Sequence, residues 1–202
     1  MSAGPRRMRR LSAQLVRNLR PPADDEDVIP ALGQALSHVR GRSVRLRKAA
    51  FPPATASGLW VDRAGHDLIV YEENTDLEHQ LVIIGHEVWH MFQGHCGGIT
   101  HHGPTTSRAG MSVPSGALAE LVATISDVAS ADVSPTEFRD ASLHFAMRAD
   151  TRQVDEEVDA ERFGFRFATD VQAALEEARS SADPQDLAGR LQASMAHRFR
   201  RT

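Results

Sequence analysis

The spacing of apolar residues changes period along the chain, and each change predicts an element. In residues 8–20, MRRLSAQLVRNLR, the positions Met8, Leu11, Leu15 and Leu19 form one helical stripe. Pro21-Pro22 ends it. A second stripe contains Val28, Ile29, Leu32, Leu36 and Val39, with Asp24 or Asp25 placed to cap it, Pro30 suited to its first turn and Gly41 at its end. The period then falls to two. Val44 and Leu46 alternate in SVRLRKAAF, while SGLWV and HDLIVYE are apolar and β-branched and are separated by DRAG. This predicts strands, the last two joined by a short turn, with Pro52-Pro53 marking a loop before them. Thr75 to Glu78 has the Thr-x-x-Glu form of a capping box, so a helix is expected from Asp76 to Gln93, terminated by Gly94. Residues 96–115 are rich in Gly, Ser, Thr and Pro and predict a long loop. Helical patterns follow at 116–130, 135–148, 153–179 and 184–199.

The order of elements predicts an α+β fold: N-terminal helices over 1–41, a small antiparallel or mixed sheet and a helix over 42–97, a loop over 98–115, and a helical part over 116–202. At 202 residues the chain suits a single domain with a substantial core. No apolar run reaches the ~18 residues of a membrane span, and the N-terminus lacks the apolar segment of a secretory signal. One cysteine, Cys96, excludes an internal disulfide and fits a reducing cytoplasm. The formal net charge of −4 argues against a chain that binds polyanions as a whole. Arg6, Arg7, Arg9, Arg10, Arg17 and Arg20 nevertheless crowd the first twenty residues, as a nucleic-acid contact or, more simply, a solvated helix face.

The chemistry lies in LVIIGHEVWHMFQGHC, residues 81–96. His86 and His90 are four apart on the expected helix, and Glu87 follows the first. Residues i and i+4 share a helix face, so two imidazoles can converge on one Zn²⁺ with bonds of ~2.0–2.1 Å. Glu87 is then placed to act as general base toward a water activated by the metal. This is the His-Glu-x-x-His arrangement of zinc peptidases, and a chain of this composition matches it by chance only about 0.03 times. Leu81, Ile84, Val88 and Phe92 supply the apolar face that anchors such a helix.

A third protein ligand is required, with a fourth position left open. The metzincin form needs a histidine six residues after His90, where the chain has Cys96. His95, His101 and His102 lie nearby in sequence, but after the helix-ending glycine or in the glycine-rich loop. The other source is DEEVDAERFGFRFATDV, residues 155–171. There Glu157, Ala160, Glu161 and Gly164 share one stripe, whose small residues permit close approach to another helix. A carboxylate on such a face needs a partner, which a zinc ion would be. The same acids, with Glu156, also fit a solvated patch.

GHEVWHMFQGHC followed by EVDAERFGFRFA resembles the ImmA/IrrE-type metallopeptidases, in which a His-Glu-x-x-His helix is followed by a helix reading Glu-x-x-Ala-x-x-Phe. The second motif corresponds here to Glu157, Ala160 and Phe163. The resemblance implies Glu157 as third zinc ligand, Glu87 as general base, and a zincin-like fold with a small sheet packed on the active-site helix. The first motif is also similar to that of small actinobacterial proteins described as toxin components of toxin–antitoxin pairs. That likeness implies a helix-turn-helix regulator or antitoxin as partner and substrate. The family's frequent Leu-Leu-Met-Pro ending is replaced by Arg166-Phe167-Ala168-Thr169-Asp170, and 66 positions separate His90 from Glu156, which keeps Glu156 and Glu161 open as ligands.

The expectation is therefore a zinc-dependent endopeptidase acting on such a regulator, with the strand DLIVYE offering an edge to an extended peptide. The rival of a different class is a zinc-stabilised module that binds a regulator without cutting it. Direct nucleic-acid binding ranks last, since no aromatic residues accompany the arginines. Tyr71 reads as a half-buried strand residue before an oxyanion donor, Trp89 and Phe92 as core or pocket wall, and Cys96 as an inert buried thiol.

Overall fold

The computed structural model describes residues 4–22, 27–52, 56–63, 65–94 and 151–182. The helices expected at 116–130, 135–148 and 184–199, the loop at 96–115, and Asp24, Asp25, His95, Cys96, His101 and His102 fall outside them. Within them the fold is α+β, with four helices and a three-stranded mixed sheet. None of these helices is long and apolar enough to cross a membrane.

Helix α1 spans Pro5–Asn18, and Pro5, lacking an amide hydrogen, suits its first position. It buries Met8, Ser12 and Leu15, and Leu19 just beyond its end is buried too. Helix α2 spans Val28–Arg40. Its cap is Asp27, not Asp24 or Asp25: the Asp27 carboxylate accepts from the Ile29 amide at 2.9 Å. Gly41, at φ 76°, closes it in the left-handed conformation, as expected.

Strands β1 (Val44–Ala49), β2 (Gly58–Asp62) and β3 (Asp67–Glu72) lie in the order β1-β3-β2. β2 and β3 form the expected hairpin, antiparallel with Trp60 opposite Ile69. β1 joins the far side of β3 in parallel, with Leu46 opposite Ile69. The edge expected at DLIVYE is therefore not available, because β3 is the central strand. Hydrogen-bonded on both sides and covered on both faces, it is apolar almost throughout and buried from Asp67 to Tyr71. The edges belong to β1 and β2, neither of which has a second strand neighbour among the described residues.

Ile69, Tyr71 and Trp60 join the main core, while Leu68 and Val70 face the other way and pack with Ala49 and Phe51. At the start of β3, the fully buried Asp67 is held by Arg40 Nε at 3.0 Å, by Arg42 Nε at 3.4 Å and by Trp60 Nε1 at 2.9 Å. Burying a carboxylate is costly unless it is paired and hydrogen-bonded, and here both conditions are met. The cluster ties the end of α2 to both strands of the hairpin.

Helix α3 spans Leu77–Gln93. Asp76, not Thr75, is its cap, accepting from the His79 amide at 2.8 Å. Residues Leu81–Met91 are buried without interruption, so the helix has no solvated middle turn. The sheet covers one side. The other is covered by α4, Thr151–Ala182, a helix of 32 residues. α4 also carries α1 through a hydrogen bond from Ser12 Oγ to Asp170 Oδ2 at 2.6 Å.

Candidate metal centre

The contact between α3 and α4 is close because glycines meet there. A Cβ built on Gly164 stands 2.6 Å from the Val82 carbonyl oxygen and 3.3 Å from the His86 amide nitrogen. One built on Gly85 stands 3.0 Å from the Gly164 Cα and 2.9 Å from a ring carbon of Phe167. Neither position has room for a methyl group. Ala160 continues the small-residue stripe, and Phe163 and Phe167 flank it, Phe163 packing on Trp89 with ring centroids 5.0 Å apart. Trp89 is a core residue, as the pattern predicted, and Phe163 joins it there.

This approach carries Glu157, two turns before Gly164, to the histidine pair. His86 Nε2 and His90 Nε2 are 2.9 Å apart. Glu157 Oε2 is 3.3 Å from His86 Nε2, and its Oε1 is 3.6 Å from His90 Nε2. Donors held tetrahedrally at ~2.0–2.1 Å from a zinc ion stand about 3.3 Å from one another, so the three side chains have the size of one face of such a tetrahedron. The donor set of two imidazoles and one carboxylate also suits that ion. Among the described residues these three form a group able to hold a metal. Glu156 and Glu161, the neighbouring alternatives, do not enter it. The histidines are buried, and Glu157, at 34% side-chain exposure, is the most open of the three.

The electrostatics are those of a mutually stabilised cluster. Burial acts to raise the Glu157 pKa, but hydrogen bonds from His86 and His90, with the charges of both rings, outweigh it and hold the carboxyl at about 2. Burial likewise acts to lower that of His90. The hydrogen bond to Glu157 and the negative charges of Glu87, Glu157 and Glu156 prevail, and the imidazole titrates above its ordinary 6.5.

Glu87 is 1% exposed and lies outside the ligand group. Its carboxylate sits beneath the edge strand: a Cβ on Gly58 would stand 2.8 Å from Glu87 Oε1 and 2.6 Å from Ile83 Cγ2. Gly58 is therefore the strand position that makes room for Glu87. Glycine inside a strand pattern signals a close approach, and SGLWV carried that signal without indicating what approaches. Tyr71 is buried in the main core; burial first, then Asp27, raises its pKa, against a smaller lowering by Arg47. Phe92 is half-buried, with the Arg40 guanidinium 5.8 Å from its ring centre.

No family model, curated protein or solved structure matches the chain.

Proposed function

We propose that the chain is a zinc-dependent endopeptidase of zincin-like architecture, related to the ImmA/IrrE-type enzymes, whose substrate is a helix-turn-helix regulator or antitoxin. The observation that carries this reading is the convergence of His86 Nε2, His90 Nε2 and the Glu157 carboxylate, with Glu87 buried beside them on the same helix. His86, His90 and Glu157 would hold a zinc ion, which would supply Lewis acidity toward a peptide carbonyl and a water. Glu87 takes the proton of the attacking water and returns it to the leaving amine, the role of a general acid–base. Its place under β2 directs attention to that strand's free edge, where an extended peptide is held by backbone hydrogen bonds across from Gly58 and Trp60.

Co-expression of the chain with a candidate regulator tests the reading. Wild type cleaves the regulator, and Glu87→Gln abolishes cleavage while retaining zinc and the ability to bind it. Regulator binding that is the same in both proteins, with no cleavage by either, contradicts the peptidase and leaves a zinc-stabilised binding module.

A further inference from the structure

The arginines of α1 lie on the side away from its core contacts. Met8, Ser12 and Leu15 are buried, whereas Arg6, Arg7, Arg9, Arg10 and Arg17 are exposed. At 3.6 residues per turn, Arg6, Arg9, Arg10 and Arg17 fall within about 100° of arc and span ~16 Å along the axis. Together with Ala13 and Gln14 they line one open groove. Among the described residues no carboxylate forms an ion pair with any of these four guanidiniums, and α1 contains no acidic residue. Six of the chain's 23 basic residues and none of its 27 acidic ones fall in the first twenty positions, which leaves the remainder at −10. The α1 face is thus locally positive in a chain whose net charge is negative.

We infer that this face binds the phosphate backbone of double-stranded DNA. Three features select that occupant. Protein interfaces depend on a few buried aromatic or large apolar anchors, and the groove offers only Ala13, whereas phosphate binding needs only charge and polar donors. Single strands are held by stacking on aromatic side chains, and α1 contains none. Four exposed guanidiniums with no carboxylate partner among the described residues complement a closely spaced row of phosphates. The inference does not rest on the metal site: α1 supplies none of its ligands, and a duplex on its outer face leaves intact the contacts through which its inner face rests on α4.

The test is fluorescence anisotropy of the full chain with a labelled duplex of about 20 base pairs, titrated in salt. Four phosphate contacts predict a slope of log affinity against log salt of about −3.6, or roughly 100-fold weaker binding at ~200 mM than at ~50 mM. A variant combining Arg6→Gln, Arg9→Gln, Arg10→Gln and Arg17→Gln, all at exposed positions, keeps the wild-type melting curve and zinc content. It loses at least ~10-fold in low-salt affinity, and its slope falls toward zero. Absence of low-salt duplex binding, or equal binding by the variant, overturns the inference. So does tighter binding of polyglutamate, which would make an acidic protein the occupant, or of a single strand of the same length.

Discussion

Gly164→Ala adds one methyl group at the narrowest point between α3 and α4. The new Cβ would lie 2.6 Å from the Val82 carbonyl oxygen, against an ordinary contact of about 3.3 Å. The obstructing atom is helix backbone and cannot rotate aside, so the helices must separate locally by about 0.7 Å. Overpacking of this kind costs ~1–3 kcal/mol, and the better helix propensity of alanine offsets ~1 kcal/mol, leaving a net loss of roughly 0–2 kcal/mol. The effect on metal binding is larger in proportion. The added Cβ would also stand 3.3 Å from the His86 amide nitrogen, and Glu157 lies seven residues, or ~10 Å, along the same helix. Metal–ligand distances tolerate only ~0.2 Å, so a shift of this size is taken up by strained side chains and zinc affinity falls ~10–100-fold. Competition against a chromogenic chelator measures the affinity, and thermal melts with and without zinc measure stability. Thr169→Ala, at an exposed position of the same helix, is the control and leaves both unchanged. If Gly164→Ala bound zinc as tightly as wild type and melted at the same temperature, close helix approach would not be what positions Glu157.

Three further outcomes are expected. The low pKa of Glu157 stabilises the metal-free fold above the ordinary 4.5, and this contribution is lost as pH falls toward about 2; the raised pKa of His90 stabilises it below 6.5, and that is lost as pH rises through the raised value. Melting temperature in chelator therefore peaks between roughly 4.5 and 6.5, and Glu157→Gln flattens both flanks; a wild-type profile level across this range contradicts the cluster's electrostatics. Asp67→Ala leaves Arg40, Arg42 and the Trp60 indole without their shared acceptor and lowers stability in urea by ~3–5 kcal/mol, whereas Asp67→Asn, which still accepts from Trp60, loses less. Gly58→Ala forces Glu87 and Ile83 aside, so stability falls by ~1–3 kcal/mol while zinc content holds; loss of zinc instead would place Gly58 in support of the ligands.

Much of this organisation was legible in the residues, for reasons that differ between elements. The helices α1, α2 and α3 have clear apolar periods, closed by Pro21-Pro22 after α1 and by glycines after α2 and α3, and the stripe of Ala160 and Gly164 announced a close helix contact. Caps were misplaced by one to three residues because acidic or hydroxyl side chains stand side by side: Asp27 follows Asp24 and Asp25, and Asp76 follows Thr75, and only the local backbone path selects among them. The sheet order was not legible. Alternation identifies a strand but not its neighbours, and the parallel pairing of β1 with β3 bypasses β2. The buried middle of α3 was hidden for a related reason. His86, Glu87 and His90 give that helix a polar side on paper, and their burial requires a second helix drawn from more than sixty residues away. The third ligand is open in the sequence among Glu156, Glu157, Glu161, His95, His101 and His102; the histidines lie outside the described residues, and of the three acids the packing of α4 at Gly164 brings Glu157 to the histidine pair.

The central claim is that His86, His90 and Glu157 hold one zinc ion. Its most direct test is the zinc content per chain of purified wild type, Glu157→Ala and Glu156→Ala, with folding checked by circular dichroism. The account predicts about one zinc in wild type and in Glu156→Ala, and a clear loss in folded Glu157→Ala. Full zinc in Glu157→Ala, or none in wild type after growth with added zinc, would contradict it.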